Sequence, residues 1–170
     1  MSEPINSGFE DLWRANEDYT KSFKYRDLTG RAARGLAIVT CMDSRINPLS
    51  VVGMKSGDAK ILRNAGARVT QDVLRTLVLA TYLLGVDRIL VMPHTDCRMA
   101  QEDEEVIHAM IEEKHGVDTR SLEFNTVVDQ RAALSQDLAR IRAFPLIPKN
   151  VIVSGGIYHV ATGKIEPIEN

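Results

Sequence analysis

Cysteine is scarce in this chain of 170 residues, with Cys41 and Cys97 the only two. Two cysteines make no disulfide framework of the kind that staples small secreted domains. Aromatics are few: one Trp, four Tyr and four Phe. No apolar run reaches the roughly 18 residues that a transmembrane helix needs, so no membrane partner is expected. A dominant charge is lacking too, since 21 Lys and Arg face 23 Asp and Glu for a net −2. Without a basic footprint, nucleic acid is not an expected partner. No Gly-x-Gly-x-x-Gly follows the first candidate strand, and no Walker A loop occurs, which disfavours nucleotide binding. Met1-Ser2-Glu3-Pro4 has neither the basic start nor the apolar stretch of a secretory signal. A cytoplasmic location is therefore expected, where two cysteines bind metal or do chemistry more often than they pair.

What is present suits one globular domain: 44% hydrophobic and 26% charged residues, on a chain long enough to bury a core. Phe9, Leu12, Trp13, Tyr19 and Phe23 recur near helical spacing and predict a helix over 7–27. So heavy an apolar load on a terminal helix implies packing on its own domain or across a subunit partner. The connector Gly30–Gly35 follows.

Residues 35–41 form a nearly continuous apolar strand, as in a parallel sheet buried on both faces. Asn47-Pro48 turns the chain. A second strand, Ala59–Arg63, runs into Asn64-Ala65-Gly66-Ala67. Gly66 either makes a turn with positive φ or brings a backbone N–H close to a small ligand. Thr70 is an N-cap, and Val73 to Leu84 make a helix apolar over most of its circumference, hence well buried. Gly85 fits its C′ position, and Arg88–Met92 is the third strand. A helix is expected from Cys97 to His115, with Glu102–Glu105 as a solvated face and His108 and His115 exposed. Residues 117–128 read as an irregular connection and 129–142 as a helix ended by Pro145 and Pro148. Val151–Gly155 is a fourth strand, and Tyr158–Val160 and Lys164–Ile168 are two extended pieces.

The expected fold is α/β: a mostly parallel sheet of about four to five strands flanked by helices, with an N-terminal helical arm. Residues 1–34 are arm and connector, and 35–170 the α/β domain that carries the candidate site, within a single domain overall. Ligands of such sheets bind beyond the carboxyl ends of the strands. Cys41, His94 and Cys97 all fall there.

Cys41 has three readings: an inert buried thiol, a nucleophile, or a metal ligand. A phosphatase-like Cys-x5-Arg pattern fails, because Asn47 stands at the Arg position. As a metal ligand, Cys41 has companions in His94 and Cys97, and two thiolates with one imidazole select zinc. Three protein ligands leave the fourth position free, as in catalytic rather than structural sites, where zinc generates hydroxide near neutral pH. Asp43 and Arg45 can pair. Arg45 then orients Asp43 beside the open position, and a released Asp43 could bind the zinc and shut the site. Asp96 reads as a surface group or as support for the ligands.

Cys41-Met42-Asp43-Ser44-Arg45, Arg63-Asn64-Ala65-Gly66 and His94-Thr95-Asp96-Cys97, in this order and spacing, resemble the β-class carbonic anhydrases. Gly155-Gly156-Ile157-Tyr158 and Thr162-Gly163 are also similar to that family, and the likeness covers roughly residues 35–165. It implies one zinc ion per chain on Cys41, His94 and Cys97, with Asp43 and Arg45 as the catalytic dyad and Ser44 and Gly66 in the substrate pocket. It also implies a homodimer as the basic unit, alone or within a dimer-based higher oligomer, with the N-terminal helix packed across the dimer. The implied reaction is reversible hydration of carbon dioxide by a zinc-bound hydroxide. Hydrolysis of carbonyl sulfide or carbon disulfide and a non-catalytic zinc protein are the alternatives. Pro93 and Arg98 replace the glycines usual beside His94 and Cys97. Arg98 would then point to solvent, narrow the pocket or add positive charge beside an anion. His159 replaces a common acidic residue.

Overall fold

The computed structural model describes residues 8–168. Ser7, where the first helix was expected to begin, and Met1–Pro4 lie outside them. Helices α1 (Glu10–Lys21), α2 (Pro48–Val51), α3 (Gln71–Leu83), α4 (Glu104–His115) and α5 (Gln130–Ala143) interleave with five strands. The strands are β1 (Leu36–Cys41), β2 (Ala59–Asn64), β3 (Arg88–Met92), β4 (Ile152–Tyr158) and β5 (Ile165–Pro167). They form one sheet in the order β2-β1-β3-β4-β5. The first four are parallel, and β5 runs antiparallel to β4.

β1 is buried at every position, which is why it lacks polar alternation. Its Ala37 and Val39 join a core with Val73, Leu74 and Leu77 of α3 and Leu134, Leu138 and Ile141 of α5. Leu36 and Ile38 face the opposite way, towards Ile46, Ala67, Met92 and Tyr158. The chain leaves β1 for β2 on one side and returns to β3 on the other. The carboxyl ends of β1 and β3 therefore flank the point where strand order reverses, the usual crevice for a ligand. Thr40 Oγ1 donates to the Met92 carbonyl at 2.7 Å and ties these ends together.

Four expectations need correction. α1 stops at Lys21, not 27, and buries none of its residues. The Ser22 hydroxyl donates to the Tyr19 carbonyl and competes with the helical ladder there. α3 is not buried all round, since Leu79 and Leu83 are exposed. Cys97 is followed by a single 3-10 turn, Arg98–Ala100, and α4 begins only at Glu104. β4 runs on through Gly155 and Gly156 to Tyr158. A Cβ on Gly155 would come within 3.0 Å of Leu134 and Leu138, so this glycine serves the close approach of α5 and not a strand end.

Candidate metal centre

β1 delivers Cys41 as its last residue, and the loop after β3 delivers His94 and Cys97. All three side chains are buried, and their ligand atoms lie within 4.8 Å of one another. The two Sγ atoms are 3.9 Å apart. Two sulfurs at about 2.3 Å from one tetrahedral ion would be about 3.8 Å apart. His94 Nδ1 sits 2.8 Å from the Thr95 carbonyl. A carbonyl only accepts, so Nδ1 carries a proton, and in the neutral ring Nε2 presents its lone pair. That Nε2 is buried and has no hydrogen-bond partner. Such an orphan is costly unless something binds it, and it faces two thiols. The donor set fits a zinc ion, and these three residues would hold it.

The protein atoms around the thiols already favour a thiolate. A hydrogen bond from Cys97 above all, then contacts with His94 and the Gly66 N–H, lowers the Cys41 pKa against the opposing effect of burial. The Cys41 thiolate and burial together push Cys97 up. Burial works against charge on His94, but the Cys41 thiolate and the Thr95 carbonyl outweigh it and raise its pKa.

Gly66 has φ 78°, and its N–H donates to Cys41 Sγ at 3.4 Å. The positive-φ turn expected here is present, and the N–H is aimed at the thiolate. A Cβ on Gly66 would lie 3.3 Å from Met99 Cβ. Asp43 and Arg45 form a fork-on-fork pair, with Nε to Oδ1 at 3.0 Å and Nη2 to Oδ2 at 2.8 Å. The pair holds the Asp43 carboxyl well below the usual carboxylate range. Asp43 Oδ2 stands 3.8 Å from His94 Nε2. Ser44 lies on the exposed side of the same loop.

Several contributors were not read from the chain. Arg63, at the end of β2, donates to the carbonyls of Cys41, Asp43 and Ile46 and shapes the loop bearing the dyad. Its strand-end position beside Asn64 was the available signal. Asp96, read as a surface group or as support for the ligands, is exposed and also pairs with Arg45 at 2.7 Å. Arg98 turns to Gln101 and Glu102, each at 3.1 Å, and is half exposed. His108 is buried and not exposed: its ring stacks on Phe124, and Nδ1 meets Thr119 Oγ1 at 2.8 Å. The acidic run is not a simple solvated face either, since Glu104 accepts the N–H groups of Phe124 and Asn125. His159 bonds Glu166 at 3.0 Å.

The fold and the site define an α/β protein with a buried Cys, His, Cys cluster that could hold a metal ion at the carboxyl edge of a mostly parallel sheet. The family profile described as carbonic anhydrase matches residues 36–165. Beta-carbonic anhydrase 1 of Mycobacterium tuberculosis is 34% identical over 160 residues, covering 94% of this chain and 96% of that protein. The crystal structure of carbonic anhydrase from Streptococcus mutans superposes with a TM-score of 0.88 at 35% identity, covering 99% and 100% of the two chains. A carbon disulfide hydrolase of Saccharolobus solfataricus is 32% identical over 156 residues, covering 78% and 76%. The chain belongs to the β-class carbonic anhydrase family of enzymes.

Proposed function

We propose that this chain catalyses the reversible hydration of carbon dioxide to bicarbonate and a proton, with one zinc ion on Cys41, His94 and Cys97. The observation that carries the reading is the buried, unpartnered His94 Nε2, which faces two thiols beside a carboxylate fixed by arginine. Bound zinc would supply Lewis acidity, activating a water as nucleophile near neutral pH. The protein's own groups do the rest. Asp43, kept ionised by Arg45, is acceptor-only. It would accept a hydrogen bond from the activated water and so orient that oxygen's lone pair towards the substrate carbon. Two thiolates would donate more charge to a bound ion than imidazoles, which would make a water activated there less acidic than in an all-histidine site.

The second reading, hydrolysis of carbon disulfide or carbonyl sulfide at the same site, is supported by the likeness to the Saccharolobus enzyme. Carbon dioxide is preferred because the carbonic anhydrase relative matches over more of both chains. The non-catalytic reading has less support, since Arg98 is engaged by Gln101 and Glu102. Purified zinc protein and its Cys41→Ser variant would be assayed in parallel for carbon dioxide hydration and for sulfide release. Hydration by the wild type alone is expected. Sulfide release exceeding hydration would favour the second reading, and equal rates for both proteins would favour the third.

The functional unit we infer is a homodimer, alone or within a dimer-based higher oligomer, in the cytoplasm, with residues 1–34 as arm and connector and 35–170 as the catalytic domain. Phe9, Leu12, Trp13, Tyr19 and Phe23 on the arm, and Leu79 and Leu83 on α3, are exposed in the single chain. A second copy is the natural cover for so much apolar surface.

A further inference from the structure

The Asp43–Arg45 pair has a third member. Arg45 Nη1 donates to Asp96 Oδ2 at 2.7 Å, and Nη2 donates to the Asp96 carbonyl at 3.1 Å. Asp96 lies between His94 and Cys97 with φ 55°. This left-handed conformation is rare for residues other than Gly, Asn and Asp. Here the carbonyl and the carboxylate of one residue meet the same guanidinium. Gln101 Nε2 donates to Asp96 Oδ1 at 3.3 Å, and Arg98 Nη1 donates to Gln101 at 3.1 Å. A polar chain therefore runs from Arg98 through Gln101, Asp96 and Arg45 to Asp43.

We propose that Asp96 is a positioning residue that anchors Arg45 and so keeps Asp43 off the metal's open position. This rests on the zinc reading above. Asp43 Oδ2, 3.8 Å from His94 Nε2, has little distance to cover to reach an ion bound there. Arg45 holds that same oxygen at 2.8 Å. The Arg45 side chain is 46% exposed, so with Asp43 as sole carboxylate anchor its guanidinium would exchange with water. Asp96 supplies a second anchor from the other metal-bearing loop. A planar guanidinium with five N–H donors can serve both carboxylates at once. The opposing effect is competition, in which Asp96 draws Arg45 away and loosens Asp43. The two effects predict opposite outcomes.

Asp96→Gly removes the carboxylate without left-handed strain, and Asp96→Asn removes the charge while keeping the shape. Each variant is loaded with cobalt(II), whose visible spectrum reports its coordination. Arg45→Ala marks a released Asp43, and Asp43→Asn marks a site with no carboxylate to bind. Both Asp96 variants are expected to move towards the Arg45→Ala spectrum with metal content unchanged. The Asp43-bound fraction should rise about two- to fivefold, the range that an exposed ion pair supports, with Asp96→Gly the larger. The effect should vanish in the Asp43→Asn background. An unchanged spectrum, a move towards Asp43→Asn, loss of bound metal, or an effect that persists without Asp43 overturns the proposal. If the wild type does not hydrate carbon dioxide, the functional reading falls while the cobalt spectra still decide this one.

Discussion

At the residue scale the site depends on which atoms are already committed. His94 Nδ1 is spent on the Thr95 carbonyl, so only Nε2 is free. Arg45 is divided between two carboxylates, and both are shifted below the usual range by it. A carboxylate whose folded pKa is depressed stabilises the fold above its unfolded value, about 3.9 for Asp. That contribution is lost as pH falls through the folded value. The melting-temperature difference between metal-free wild type and Arg45→Ala should therefore be constant from about pH 5 to 9 and close below about pH 4. A thermal melt at each pH checks this. A difference that instead titrates near pH 6.5 would assign the effect to a histidine. The Cys41, His94 and Cys97 cluster and the Asp43–Arg45 pair were legible in the chain because residue type and strand-end position carry their chemistry. The partner of Asp96 and the role of Arg63 were not, because they depend on residues 51 and up to 22 positions away.

Among the elements, α4 departs most from its periodicity. Its first residue, Glu104, accepts two backbone N–H groups of the 117–128 connection, at 2.7 and 3.1 Å. Val127 of that connection donates to the Met99 carbonyl, and Met99 packs over Gly66. Glu104→Ala strands both donors. We expect a loss of about 1–2 kcal/mol in urea unfolding, the low end for charge-assisted bonds because the side chain is partly exposed. A change under about 0.5 kcal/mol would mean that water replaces the carboxylate at no cost. The acidic run gave no hint of this role, since its composition is that of a solvated face. By contrast, Thr70 as N-cap and β3 as Arg88–Met92 stand where local sequence put them. A short polar side chain before an apolar helix and a compact apolar run are local signals.

For the molecule as a whole, the aromatics at the amino end are the feature that one chain does not use. α1 buries nothing, and Trp13 is 53% exposed. Leu12→Glu combined with Trp13→Glu should weaken self-association at least tenfold, the loss expected when an aromatic anchor is removed. Sedimentation velocity over a concentration series would show a dimer giving way to monomer. A wild type that sediments as a monomer throughout would leave α1 without the partner assigned to it.

The chain by itself determined the α/β class, the order of most elements, and the residues that can bind zinc. Apolar runs, caps and thiol or imidazole side chains signal their properties locally. Only the tertiary structure brought Cys41 to 3.9 Å from Cys97, 56 positions away. It did so by setting β1 beside β3 in register, with Thr40 opposite Met92. It also chose the tautomer of His94, turned Arg98 aside and divided Arg45 between Asp43 and Asp96. Those outcomes are set by which donors and acceptors meet across loops, and no local pattern in the chain encodes such meetings.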